Sequence, residues 1–508
     1  MTVTITKPDA EWDVQWRRLS PRMLLIHPVV ELGRAIPAIV GLLVAGTTSG
    51  GGSQWGLIGA GVVIALGISH WFTTRYRIGT DQIQLRRGLL RRVTVSAPLD
   101  RVRTVDVTAH LLHRALGLAK VAIGTGTSDR KGRTALVLDG LSATSAARLR
   151  AELLHRPGAA ETAAETAEAS AAVHDPEREI ARLDPAWVRY APFTLSGAIT
   201  SLAVLGFGWR LINEAHIDLS HGGPTRAIAD RLRHAPLVLD VIAVALAILL
   251  IITVASVVGY VLAFWRFRLT RHDGGSLHIS RGLITSRATS IERRRLVGAE
   301  LSEPLLLRAV GGARCVAIAT GLRVGRGAER GGQVLLPPAP RAASVEVIAA
   351  VLGSNRVSTA ELRRHPRAAL RRRIVRVAAA CGLFVAVIGG VVAWSPVSRG
   401  SWFASLIVFV GVAPLAIDRY RSLGHAVVDG YLVTRFGSLV RRRSIVSCDA
   451  VIGWNFRSSF FQRRVGLTTL RATSAAGKQH FPIVDVAQGD AVALANSVTP
   501  GLLTPFVV

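Results

Sequence analysis

Hydrophobic residues along this chain gather in six long blocks, with arginines gathered between them: Val29–Thr48, Trp55–Phe72, Tyr190–Trp209, Pro236–Phe264, Ile374–Trp394 and Trp402–Ile417. A bilayer span takes about 20 mostly apolar residues, and most of the blocks reach that length. They pair as hairpins through Thr47–Gln54, the longer connector Leu211–Ala235, and Ser395–Ser401. Trp55, Trp71, Trp187, Trp209, Trp265, Trp394 and Trp402 flank block ends, where aromatic belts meet a membrane interface. Arg17, Arg18 and Arg22 precede the first pair, and Arg75 and Arg77 follow it. Arg363, Arg364, Arg367 and Arg371–Arg373 precede the third pair, and Arg419 and Arg421 follow it. The short turns hold only Arg399, so the expected topology puts both termini and the large segments in the cytoplasm.

Between the blocks the period changes to two. Ile83 and Leu85 alternate with polar neighbours, as do Val93 and Val95, and Val105 and Val107. Helices are predicted at Ala143–Leu154, Ala342–Leu352 and Ala487–Ser497. Short strands closed by one helix suggest a small capped barrel. The expected fold class is therefore an α+β membrane protein: six transmembrane helices as three hairpins, each followed by an antiparallel β-module with a C-terminal helix. The boundaries are 1–72 (N-terminal segment and first hairpin), 73–156 (first module), 157–186 (Ala/Glu-rich linker) and 187–264 (second hairpin). They continue as 265–353 (second module), 354–373 (basic linker), 374–418 (third hairpin) and 419–508 (third module).

The modules repeat. Leu111-Leu112-His113-Arg114-Ala115-Leu116-Gly117 returns as Leu305-Leu306-Leu307-Arg308-Ala309-Val310-Gly311 and as Phe460-Phe461-Gln462-Arg463-Arg464-Val465-Gly466. An upstream glycine lies 29 positions before the motif glycine each time: Gly88/Gly117, Gly282/Gly311 and Gly437/Gly466. Gly88 sits between two alternating runs and fits a turn that needs positive φ. Pro21, Pro185 and Pro366 precede the three hairpins.

Composition sharpens this picture. A net charge of +29 coexists with 50% hydrophobic residues and a mean hydropathy of +0.37, which a soluble nucleic-acid binder would seldom show. The bias toward Arg over Lys, with much Ala and Val, fits a GC-rich bacterial genome. Cys315, Cys381 and Cys448 are far apart and form no CxxC, so neither a disulfide framework nor a zinc site is expected. The polar opening Thr2–Glu11 predicts no cleaved signal peptide.

A helical hairpin followed by Arg87-Gly88-Leu89-Leu90, Arg281-Gly282-Leu283-Ile284 or Arg435-Phe436-Gly437-Ser438-Leu439, and then by the repeated motif, resembles the membrane-flanked bacterial pleckstrin-homology family of the YdbS/YdbT type, in a three-copy form. The resemblance covers nearly the whole chain. It implies a PH-like fold, a bent antiparallel sheet or barrel with a C-terminal helix, and it implies no defined reaction.

Candidate chemistry is sparse. His110 and His113 stand three apart, but Asp106 is the sole nearby carboxylate, so no metal is expected. Gly124-Thr125-Gly126 and Gly321–Gly327 lack the Gly-Lys-Ser/Thr of a phosphate loop. Asp100 and Asp449 correspond, but the second copy has Arg294 there, which argues against catalysis. No enzyme and no cofactor are predicted. The candidates for headgroup or partner binding are Arg86, Arg87, Arg91 and Arg92, then Arg293, Arg294 and Arg295, then Arg441, Arg442 and Arg443. Juxtamembrane arginines gain roughly 1 kcal/mol each near an anionic leaflet, and topology control alone would also place them there. Arg114, Arg308 and Arg463, with the repeat glycines, are expected to be structural. The expected function is a non-enzymatic scaffold that docks lipids or other membrane proteins at the inner face of the plasma membrane, with envelope maintenance or defence as a possible setting, and without nucleic acid. The alternative is a transporter or channel component, against which stands the scarcity of intramembrane charge.

Overall fold

The computed structural model describes residues 16–26, 72–79, 82–88, 92–98, 104–124, 135–155, 178–194, 206, 237–272, 275–320, 334–394 and 414–502. It divides into two compact units. One comprises Met1–Arg178 and Thr270–Arg295, the other Glu179–Leu269 and Leu296–Val508.

In the first unit, β1 (Arg17–Arg18) precedes the first expected hairpin and pairs with β2 (Arg75–Ile78), which follows it. Next come β3 (Gln82–Arg87) and β4 (Val93–Pro98), giving an antiparallel sheet ordered β1-β2-β3-β4. A second sheet starts with β5 (Thr104–Ala109), β6 (Leu118–Gly124) and β7 (Ala135–Ser142), and the helix Ala143–His155 follows it. Of the expected period-two positions, Ile83, Leu85 and Val105 are buried, as are Val121, Ile123 and Leu138 on the following strands, but Val93 on β4 is exposed. The buried residues pack with Met23 and Ile26 from the entry segment and with Ala146 and Leu149 from the helix. Each such large aliphatic side chain contributes about 1.5–3 kcal/mol. Two strands from the second copy extend this sheet: β10 (Leu277–Arg281) and β11 (Ser286–Ile291), in the order β7-β6-β5-β11-β10.

In the second unit, β8 (Arg178–Arg182) and β9 (Arg268–Arg271) bracket the second expected hairpin, and the unit boundary falls inside both. The Leu183 N–H donates to the Phe267 carbonyl at 3.0 Å, closing the loop where the chain leaves and re-enters. β12 (Leu296–Pro304), β13 (Gly312–Ala319) and β14 (Val334–Pro340) lead into the helix Arg341–Leu352. The third copy supplies β15 (Gly424–Val428), β16 (Tyr431–Phe436) and β17 (Val440–Ser447), and the joint sheet runs β14-β13-β12-β17-β16-β15. A last sheet, β18 (Gly453–Arg457), β19 (Leu467–Thr473) and β20 (His480–Ala487), packs under the helix Gln488–Val498.

Two features depart from expectation. Each copy splits its strands between two sheets, and the second sheet of one copy continues edge to edge into the first sheet of the next, so no copy is an isolated barrel. The prediction of six transmembrane helices is also not supported: among the described residues one helix, Leu246–Phe264, is long and apolar enough to cross a membrane. Apolar run length alone does not decide what a segment becomes. The block from Tyr190 begins inside a 3-10 helix, Pro185–Phe193, which Asp184 caps and which contains Pro192. That helix buries Trp187, Tyr190 and Ala191 instead of offering them to lipid. Ile374–Trp394 continues a helix that starts at Arg367. The block Val29–Thr48 and most of Trp55–Phe72, Tyr190–Trp209 and Trp402–Ile417 lie outside the described residues, as do the linker Pro157–Ala172 and the connector Leu211–Ala235.

Candidate functional site

The repeated residues build the joints. Gly88, Gly282 and Gly437 have φ of 115°, 106° and 99°. A Cβ on Gly282 would lie 2.0 Å from the Thr285 carbonyl oxygen, and one on Gly437 would lie 2.1 Å from that of Val440, so only glycine fits either turn. Gly117, Gly311 and Gly466 are also left-handed, at 67°, 73° and 63°. Their carbonyls accept from the first N–H of the closing helix in every copy, from Ala143 at 2.8 Å, Arg341 at 3.0 Å and Gln488 at 3.1 Å.

The motif arginines reach the next copy. Arg114 donates to the Leu283 carbonyl at 2.6 Å, one residue past the turn glycine of the second copy. In the second copy the Leu305 N–H donates to the Leu439 carbonyl at 2.7 Å, and Arg308 bonds Asp418 at 2.9 Å. Arg463 is exposed and has no such contact among the described residues.

The arginine clusters fare unequally. Arg86 is half-buried on β3 and Arg92 is exposed, while Arg91 and the Arg87 side chain lie outside the description. Arg293 and Arg294 are exposed on a 3-10 turn, and Arg295 pairs with Glu292 at 3.0 Å. The third cluster is engaged within the fold. Arg441 bonds Asp418 at 3.0 Å, Arg442 faces Glu300 at 3.7 Å, and buried Arg443 donates to the Ala360 carbonyl at 2.7 Å. His110 bonds Thr285 at 3.0 Å, and buried His113 bonds Asp139 at 3.2 Å.

A different set of arginines shapes a cavity of about 500 Å³ beside the third module. Its lining combines four arginines, Arg372, Arg373, Arg376 and Arg419, with apolar side chains that include Val377, Ala380, Phe384 and Leu415. The helix Arg367–Trp394 sets the arrangement, because its arginines come one turn before its apolar stretch. Asp485 on β20 anchors part of this lining. It accepts from Arg372, from Arg373 at 2.8 Å and from Gln462 at 2.7 Å. Asp485 is 1% exposed and has φ of 59°, a strained position for a residue with a side chain. Burial pushes the Arg373 guanidinium pKa down, against the pull of Asp485. The Nε atoms of Arg372 and Arg373 are buried without a partner among the described residues. The lining thus holds four cations to one anion, with donors left over. Chemically it suits an anionic group attached to an apolar body.

Sequence reasoning used Arg372, Arg373 and Arg419 only to orient the chain and overlooked Arg376 and Asp485. One signal was available. Gly140 and Asp485 each lie two residues before the end of the last strand of their copy, and both have positive φ. In each case the residue before a hairpin proline binds that position's carbonyl: the Ser20 N–H meets Gly140 at 3.1 Å, and His365 meets Asp485 at 3.2 Å.

A family model described as "Bacterial PH domain" matches three times, over residues 28–157, 214–353 and 374–498. No curated protein and no solved structure matches the chain. PH-like domains serve docking and scaffolding in general, and they are typically non-catalytic.

Proposed function

Because the chain belongs to the bacterial PH domain family, we propose that it is a membrane-attached docking protein whose third module receives an anionic lipid headgroup in the arginine-walled cavity. The observation that carries this reading is a cavity lining that combines four arginines with apolar side chains. Its volume lies within the usual range for ligand pockets, about 300–1,000 Å³. Arginine suits a phosphate because its planar fork donates two parallel bonds. The apolar side chains of the lining suit the start of an acyl chain.

Membrane attachment rests on the stretch Leu246–Phe264 of the helix Leu237–Phe264. Its mean hydropathy is 2.7 and only 11% of that stretch is buried within the protein. Leu246, Leu249, Leu250, Val254 and Val258 are all exposed. A surface of that kind is stable against lipid tails and unstable against water. Exposed apolar residues also occur close in sequence to arginines in each copy: Leu111 and Leu112, Leu306, Leu439, and Phe460 with Phe461. Such residues suit the interfacial zone of a bilayer, where one end of a side-chain cluster is apolar and the other wet.

The test uses the full chain in nanodiscs of zwitterionic lipid with a minor share of phosphatidylglycerol. Lipid that stays bound on extraction into detergent is quantified by mass spectrometry. Enrichment of phosphatidylglycerol that is lost in R376Q/R419Q, both exposed positions in the lining, is the expected result. Equal retention of both lipids by the unmodified chain would overturn the reading.

A further inference from the structure

The joint between the first and second copies and the joint between the second and third share one register. In the first, Ala109, eight positions before the motif glycine, faces Ser286, four positions after the turn glycine. In the second, Glu303, eight before Gly311, faces Arg441, four after Gly437. The ladders then run on in step, through Val105 opposite Ser290 and Ala299 opposite Ile445. Each joint is also locked by an acid and a hydroxyl at matching positions. Thr289 donates to Asp106 at 2.7 Å, and Ser444 donates to Glu300 at 3.3 Å.

A chain of three copies makes two such joints and leaves one half of each kind over. β18 is the third copy's counterpart of β5 and β12, and it is an outer strand of its sheet. β4 is the first copy's counterpart of β11 and β17, and it too is an outer strand. Neither outer edge carries a partner strand among the described residues. Arg457, at the end of β18, is the one charged side chain on either strand. Asn455, Phe456 and Arg457 on β18 are exposed, as are Val93, Thr94 and Ser96 on β4. Pro98 stands only at the end of β4.

We propose that these two edges meet between molecules: β18 of one protomer adds antiparallel to β4 of a second copy, in the register of the internal joints. Ser458 then faces Arg92, Asn455 faces Val95, and Gly453 faces Ala97 of the partner chain. Trp454 and Phe456 come opposite Ser96 and Thr94, much as Val105 and Val107 come opposite Ser290 and Ala288 inside the chain. The contact is heterologous, so it joins molecules head to tail, into a ring or an open filament. It is also weaker than the internal joints, because Asn455 and Val95 stand where those joints have an acid and a hydroxyl. The association is therefore reversible and follows concentration.

The experiment uses the full chain in detergent, in a C381S/C448S background. Two singly substituted, differently tagged forms, N455C and V95C, are mixed and mildly oxidised. Antiparallel neighbours directly opposite bring Cβ atoms within disulfide range. A disulfide between the two forms, absent when S96C replaces V95C, is the expected result. No product above that of either form alone, or an N455C product with itself, would overturn the proposal. Independently, N455D/V95T restores the acid–hydroxyl pair of the internal joints. It is expected to lower the dissociation concentration, read by mass photometry, by about tenfold. An unchanged value would also overturn it.

Discussion

Acid should loosen the third module through a buried pair of histidines. His365 Nδ1 lies 3.0 Å from the Val484 carbonyl and 3.2 Å from that of Asp485, so it carries the proton and donates. Its Nε2 must then accept, which makes His425 Nδ1, 3.1 Å away, the donor of the link between them. Both rings are neutral in this arrangement, and burial drives both pKa values down, that of His425 to about 4. Arg363 and the partner ring push His425 the same way, and Asp490 opposes them. The unfolded ring takes a proton near 6.5, so between about 6.5 and 4 the unfolded state binds more protons than the folded one. Stability is therefore complete above pH 6.5 and declines as pH falls toward 4. At about 1.4 kcal/mol per pH unit, the whole interval is worth roughly 3 kcal/mol for His425. The assay is hydrogen–deuterium exchange of the full chain from pH 7 to pH 4.5, corrected for intrinsic rates and read on peptides across Gly424–Phe436. Protection there should fall with pH more steeply than across Leu277–Ile291, and H425Q, which keeps a donor but does not titrate, should lose most of the slope. An unchanged slope in H425Q, or protection that rises on acidification, would refute the reasoning.

Other perturbations follow from the same geometry. D485A leaves Arg372 and Arg373 without their buried carboxylate and should destabilise the third module by about 3–5 kcal/mol, seen as a lower denaturant midpoint for Trp454 fluorescence. G282A and G437A each force a Cβ to about 2 Å from a carbonyl oxygen at positive φ, so each should lose several kcal/mol or fail to accumulate, whereas G430A, which meets open space at φ 75°, should cost only about 1 kcal/mol; thermal shift compares them. T289V removes the bond to Asp106 and should cost about 1.5–3 kcal/mol, and a double-mutant cycle with D106A should return most of that as coupling.

The parts of the fold that were legible in the sequence are those with a single physical solution. Only glycine tolerates the φ values at Gly282 and Gly437 together with the carbonyls packed against them, so the 29-residue spacing reported real turns. Period-two burial and the closing helices were readable because each depends on neighbours in sequence. What escaped depends on partners far along the chain. Asp106 and Glu300 look like ordinary strand residues until Thr289 and Ser444 arrive from the next copy. An open strand edge and a paired one carry the same alternation, so the sharing of sheets between copies left no mark in any single module. Arg372 and Arg373 were visible as charge and silent as a site, because the residue that organises them, Asp485, stands 112 positions beyond Arg373 on another element. The same reasoning explains why the arginine clusters proved unequal. Arg441 and Arg443 lie on a strand that faces a joint, where Asp418 and the Ala360 carbonyl accept from them. Arg376 and Arg419 line a cavity and are exposed, and the single carboxylate in its lining, that of Asp485, bonds Arg372 and Arg373 instead.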